Sequence, residues 1–120
     1  MGRLRDEFLV RVEGFCDMVV GMAGEMEERR VSHRVIHQLL ASGTSIGANV
    51  FEADEAMSRP DFVKCLAIAA KELAETRFWL RLAGRHSWVS EDRIGLALTE
   101  AEELRRILGT MIRRTKEHGA

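Results

Sequence analysis

Histidines and arginines are the residues of this 120-residue chain whose spacing could support chemistry. Arg81 and His86, and again Arg113 and His118, are five positions apart. A histidine held near an arginine can move a proton while the guanidinium steadies a phosphodiester's charge. His33 and His37 are spaced i, i+4, which puts two imidazoles on one helix face. Two histidines alone do not make a metal centre. Glu52-Glu55 and Glu72-Glu75 supply carboxylates, but no Glu-x-x-His pair accompanies them, and we expect no metal and no other cofactor. Cys16 and Cys65 are too far apart for a local metal knuckle and lie among apolar neighbours, so we expect two reduced, packed thiols.

The arginines offer a second chemistry. Arg105, Arg106, Arg113 and Arg114 crowd the end of the chain, and at helical pitch Arg106 and Arg113 fall within about 20° of one face. Arg29, Arg30 and Arg34 form a smaller group. Guanidinium pairs of this kind neutralise phosphates and release counterions. No aromatic residues interleave with them, which argues against a base-stacking platform for single strands.

Four periodic segments position these residues. The first spans about Leu4 to Glu28, with Leu4, Phe8, Val12, Phe15, Val19, Met22 and Met26 at spacings of three and four. Its Gly14, Gly21 and Gly24 suggest close helix packing. The second runs from about Ser32, a capping residue, to Met57. The third opens on Ser58-Arg59-Pro60-Asp61, which offers a cap, a first-turn proline and an acid, and ends near Gly84. The fourth runs from Ser90 to about Glu117 on a heptad-like stripe from Ile94 to Met111. Short connections make sequential helices antiparallel neighbours. The expected fold is all-α: an antiparallel, up-down-up-down four-helix bundle, with residues 1–120 as a single domain.

Composition narrows the function classes. No run approaches the ~18 apolar residues of a membrane span, and the N-terminus turns acidic where a secretory signal would turn apolar. We therefore expect a cytoplasmic protein. The net charge of −1 does not suit a dedicated nucleic-acid binder. Its distribution is uneven, however: residues 1–28 carry three basic and seven acidic groups, and residues 58–86 carry six basic and three acidic.

Two helix faces stand out. Gln38, Ser42, Ser45, Asn49 and Glu52 form a face of small or uncharged groups, flanked by Ala41, Ala48 and Ala53. We expect a packed polar seam in which Asn49 and Glu52 bond to Lys71, Glu75 or Arg77 of the third helix. The third helix is apolar all round at Cys65-Leu66-Ala67-Ile68-Ala69-Ala70. Ile68 and Trp79 lie off its main stripe, which marks them as candidate oligomer-interface residues.

Thr44-Ser45-Ile46-Gly47-Ala48-Asn49-Val50-Phe51-Glu52 resembles the S-I-x-x-N-I-x-E signature of the 23S rRNA-intervening-sequence proteins. Ser58, Asp61-Phe62, Leu66, Ile68-Ala69, Leu73 and Glu75 continue the family's pattern. Ser45, Ile46, Asn49 and Glu52 carry the core of that motif. Ala53 and Lys71-Glu72 depart from it where the family has Gly and Gly-Ser. The family is similar to the accessory variability protein of diversity-generating retroelements. That relative is a pentameric ring of four-helix bundles whose basic surface binds nucleic acid and a reverse transcriptase. The resemblance implies a homo-oligomer, with a pentamer favoured, and RNA or DNA or a reverse transcriptase as partner. It implies no catalytic residue.

The expected function is thus non-enzymatic: a homo-oligomeric bundle that binds nucleic acid or a nucleic-acid-handling protein. A purely structural assembly protein is the alternative from another class. A helical ribonuclease is the third. Such enzymes place a polar residue directly after the arginine, whereas Leu82 and Arg114 follow here.

Overall fold

In the computed structural model, which describes residues 2–118, four helices follow one another. They are α1 (Asp6–Glu28), α2 (His33–Asp54), α3 (Arg59–Arg85) and α4 (Glu91–His118). No strand occurs among the described residues. Each helix packs against its neighbours in sequence, α1 also packs against α4, and neither diagonal pair touches. That is the up-down-up-down bundle, 48 Å long and about 20 Å across. No described helix is long and apolar enough to cross a membrane.

Local chemistry sets the helix ends. Ser32 Oγ accepts from the Arg34 amide at 3.3 Å, and Ser58 Oγ accepts from the Asp61 amide at 3.2 Å. Each bond satisfies an N–H that the first turn leaves free. Pro60 sits in the first turn of α3, where its missing N–H costs nothing. Helix α2 stops at Asp54, three residues before the expected Met57, because the N-terminal segment claims its end. The Arg3 amide donates to the Asp54 carbonyl, and the Leu4 amide donates to Asp54 Oδ1. Met57 is left 91% exposed.

The core is one cluster drawn from all four stripes. Phe15, Met22, Leu39, Ile46, Leu66, Leu73, Leu80, Leu104 and Leu108 are all 1% exposed or less. Each contributes about 1.5–3 kcal/mol by leaving water. The seam between α1 and α4 relies on charge as well. Arg11 grips Glu100 with two hydrogen bonds, at 2.7 and 2.8 Å, and reaches Glu103 at 3.1 Å. Arg93 pairs with Glu25 at 3.0 Å.

Among the helices, the tightest approach over glycine is on α2, while of the three glycines expected to pack on α1 only Gly21 does so, where a Cβ would stand 3.3 Å from Arg93 Nη2. A Cβ at Gly43 would stand 2.6 Å from Val19 Cγ1, and one at Gly47 would stand 2.9 Å from Cys16 Sγ. Gly14 and Gly24 face outward with nothing within 4 Å of such a Cβ, so they mark no packing contact. Gly43→Ala should therefore lower stability by about 1–3 kcal/mol through overpacking, despite alanine's better helix propensity. Gly14→Ala should raise it by about 0.5–1 kcal/mol. Urea midpoints of the two variants check this opposition of sign.

Candidate functional site

At one end of the bundle the N-terminal segment, the start of α3 and the last turns of α4 enclose a cleft of about 380 Å³. Its polar lining is Arg3, Arg59, Arg114, Thr115 and His118; Leu4, Phe62 and Met111 supply an apolar wall. None of the described lining residues is acidic.

The arginines are positioned without being neutralised. Arg3 Nε donates to the Ala56 carbonyl at 2.8 Å, and its guanidinium lies 5.7 Å from the centre of the Phe62 ring. Arg59 Nη1 donates to the His118 carbonyl at 2.9 Å. A guanidinium carries five donors, and most N–H groups of Arg3 and Arg59 have no hydrogen-bond partner among the described residues. Among the described residues neither they nor Arg114 is in an ion pair. Convergent guanidinium donors suit the tetrahedral oxygens of a phosphate.

The four arginines singled out on α4 fall into two settings. Arg114 lines the cleft, and Arg113 stands beside it, 4.0 Å from Glu117. Arg105 and Arg106 lie farther down the helix, gathered on Glu102. Arg105 donates to it at 3.0 and 2.6 Å, Arg106 donates at 3.2 Å, and Arg77 of α3 approaches to 3.5 Å. The bonds from Arg105, together with the surrounding guanidinium charge, hold the Glu102 carboxyl down at about 2. Arg3 and Arg59 were missed at the level of sequence. They are 56 positions apart and lie in different elements, so no local spacing connects them.

The polar seam on α2 differs from expectation. Asn49 Nδ2 donates to the Ser45 carbonyl at 2.8 Å, a bond within its own helix, and Glu52 is exposed. Neither reaches Lys71, Glu75 or Arg77. The reason is register: Leu39, Ser42, Ile46, Val50 and Ala53 form the buried face, and Asn49 lies one position outside it. The inter-helix polar contact is instead Thr76 Oγ1 to Ser42 Oγ, at 2.9 Å between α2 and α3. Ile46 is fully buried, and Ser45 is half-buried.

Ile68 and Trp79 are half-buried, and Trp79 Nε1 donates to Glu75 at 3.1 Å. The strongly exposed apolar groups are others, among them Val10, Phe51 and Phe78. His33 and His37 are exposed, and no group of three or more metal-ligating side chains occurs among the described residues. The His86 ring stacks on Trp88, with ring centres 5.0 Å apart. Cys16 and Cys65 are free thiols that burial pushes up, and Cys16 Sγ donates to the Gly43 carbonyl at 3.4 Å.

A closed four-helix bundle with a motif-bearing α2 and a cationic end thus defines the class of protein. The family model described as 23S rRNA-intervening sequence protein matches residues 13–110, and the chain belongs to that family. A solved structure from Bacteroides thetaiotaomicron, described as a protein with unknown function from the S23 ribosomal protein family, superposes with a TM-score of 0.82. It is 32% identical, and the match covers 87% of this chain and 96% of that one. No curated protein matches the chain.

Two outcomes test this geometry. Asn49→Ala and Glu52→Ala should each change stability by less than about 0.5 kcal/mol, as substitutions outside the core do. Thr76→Val should cost about 1–2 kcal/mol by removing one partner of a buried hydroxyl pair. Thermal melts of the three variants check this ordering. Acid sensitivity is the second outcome. Glu25 is held below its usual value, first by the bond from Arg93, and Glu102 is held low by Arg105. Groups lowered on folding contribute stability that is complete above their unfolded value near 4.5 and fades as pH falls toward 2. Urea midpoints between pH 5 and pH 2 should therefore fall less steeply in Glu102→Gln than in the parent.

Proposed function

We propose that this protein is a homo-oligomeric, non-enzymatic module that holds the phosphate backbone of nucleic acid at its cationic end. The supporting observation is the cleft of Arg3, Arg59 and Arg114, whose lining contains no described carboxylate. A phosphate diester is the common anion that matches several guanidinium groups lining one cleft. Contacts of this kind are indifferent to base sequence.

Assembly belongs to this reading for an electrostatic reason. A single chain has a net charge of −1, so long-range attraction for a polyanion is weak. Copies arranged with their ends on one side would repeat the cleft once per subunit, and multivalent contact raises affinity without any new chemistry. Five copies is the number that the family resemblance implies.

The test is fluorescence anisotropy with labelled single-stranded and duplex RNA and DNA at two salt concentrations. Binding should be independent of sequence, with a dissociation constant of about 10⁻⁴–10⁻⁶ M near physiological salt. Arg59→Gln with Arg114→Gln should weaken it at least about tenfold and reduce the salt slope by about 0.9 per lost duplex contact. Arg105→Gln with Arg106→Gln should have the smaller effect. Absence of binding by about 100 µM protein at low salt, where backbone contacts are strongest, would overturn the reading in favour of a structural assembly protein. Cleavage of the probe, abolished in His118→Ala, would overturn the non-enzymatic part.

A further inference from the structure

Helices α1 and α3 occupy diagonal corners of the bundle, and their outer faces carry opposite charge and complementary relief. Between α1 and α2 runs an open groove of about 640 Å³. Val10 and Phe51, 65% and 41% exposed, form its apolar walls. Gly14 and Ala48 leave room between them. Glu13 and Asp17 supply its charge, and neither is in an ion pair among the described residues. The groove lining contains no basic residue.

The outer face of α3 presents the counterpart. Phe78 stands 53% exposed among Arg77, Arg81 and Arg85. Arg77 leans on Glu102, whereas Arg81 and Arg85 are in no ion pair among the described residues. Glu13 and Asp17 are four residues apart on α1, and Arg81 and Arg85 are four apart on α3. Each pair is therefore spaced about 6 Å along its helix, so both cations can meet both anions in one register.

We propose that α3 of one copy docks into the α1/α2 groove of a second copy, with Phe78 between Val10 and Phe51 and Arg81 and Arg85 against Glu13 and Asp17. The inference rests on the assembly half of the function proposed above and names its contact surface. A second copy is the occupant because this chain carries both halves of the contact and cannot join them within itself: α1 and α3 occupy diagonal corners, with no Cα pair within 8 Å, and the two surfaces lie on their outer faces. The two faces differ, so the interface is head-to-tail. Each added copy leaves one groove and one face of α3 open until a ring closes. Burial of the phenylalanines supplies most of the affinity. The rim charges select the partner and its register. Ring closure, in which every copy is held twice, adds to the affinity of each single contact.

Light scattering of the full chain at about 50 µM, a concentration that suits a contact of this size, reads the outcome. The parent should be several times the 13.6 kDa of one chain. Phe78→Glu on α3 and Ala48→Arg in the groove should each reduce it to a monomer or short chains, with helical circular dichroism retained. Mixed in equal amounts, the two variants should form a dimer. The first keeps a sound groove and the second a sound α3, so one productive interface remains. Glu13→Arg with Asp17→Arg should dissociate the assembly, and adding Arg81→Glu with Arg85→Glu should restore it. A monomeric parent would overturn the assembly reading together with this interface. An oligomeric parent whose mass resists every one of these changes would overturn the interface alone. Monomeric variants that stay monomeric on mixing would overturn the head-to-tail pairing. If Phe78→Glu fails to fold, the paired charge reversals on exposed residues decide the same question.

Discussion

The approach of α1 to α2 over two glycines is the constraint on which the candidate surfaces depend. Val19 fills the space that a side chain at Gly43 would take, and Cys16 does the same over Gly47. Interlocking of this kind permits only small slippage along the helix axes. It fixes which α1 residues stand opposite which α2 residues, and so places Val10 across from Phe51 and Gly14 across from Ala48. The outward groove follows from the inward contact. On its other edge α1 is held by Arg11 against Glu100 and by Arg93 against Glu25. One apolar seam and one charged seam thus determine the rotation of the acidic helix about its axis.

Periodicity revealed the architecture because hydropathy repeats at the helical pitch in every segment. Ser32 and Ser58 announced two starts through capping chemistry that acts locally. Gly14 and Gly24 face outward against expectation, because glycine has no hydropathy with which to declare a face. Only position relative to the buried stripe separates Gly43 from Gly14. Asn49 was misread for a related reason. A spacing of three and four places it beside Ser42 and Ser45, but the contact with α3 is narrow, and one position decides between the seam and the surface. The cleft was illegible in sequence. Arg3, Arg59 and Arg114 meet because the N-terminus, the start of α3 and the end of α4 share one end of an antiparallel bundle. The exposed Phe78 and Phe51 were recoverable in principle, since each lies outside its helix's stripe. Ile68 and Trp79 are half-buried, and Trp79 packs against the core.

The motif that marks the family has a divided structural role. Ile46 is wholly core, and its neighbours Gly43 and Gly47 admit α1. Asn49 and Glu52 add nothing to the buried contact between α2 and α3. Glu52 is exposed on α2, next in sequence to the Phe51 that lines the groove. Glu52 lies on the α3 side of α2, close enough to Cys65 for its charge to add to the burial that pushes that thiol up.

The sign of the bundle's ends is decided by side chains and not by the backbone. Each end of an antiparallel four-helix bundle gathers two helix N-termini and two C-termini, whose partial charges of about half a unit oppose one another. At the cleft end these are the starts of α1 and α3 and the ends of α2 and α4. The local pairing is visible where Arg59, at the start of α3, donates to the His118 carbonyl at the end of α4. With the dipoles offset, Arg3, Arg59 and Arg114 determine the potential in the cleft, although the chain as a whole is slightly negative. The acidic surplus is carried on the flank of α1, on the outer face opposite α3. In a head-to-tail ring that flank is covered by the basic face of the next copy. On the proposed reading, assembly would cover the carboxylates that oppose a polyanion and leave the arginine-lined ends exposed, so association of copies would favour binding of the polyanion.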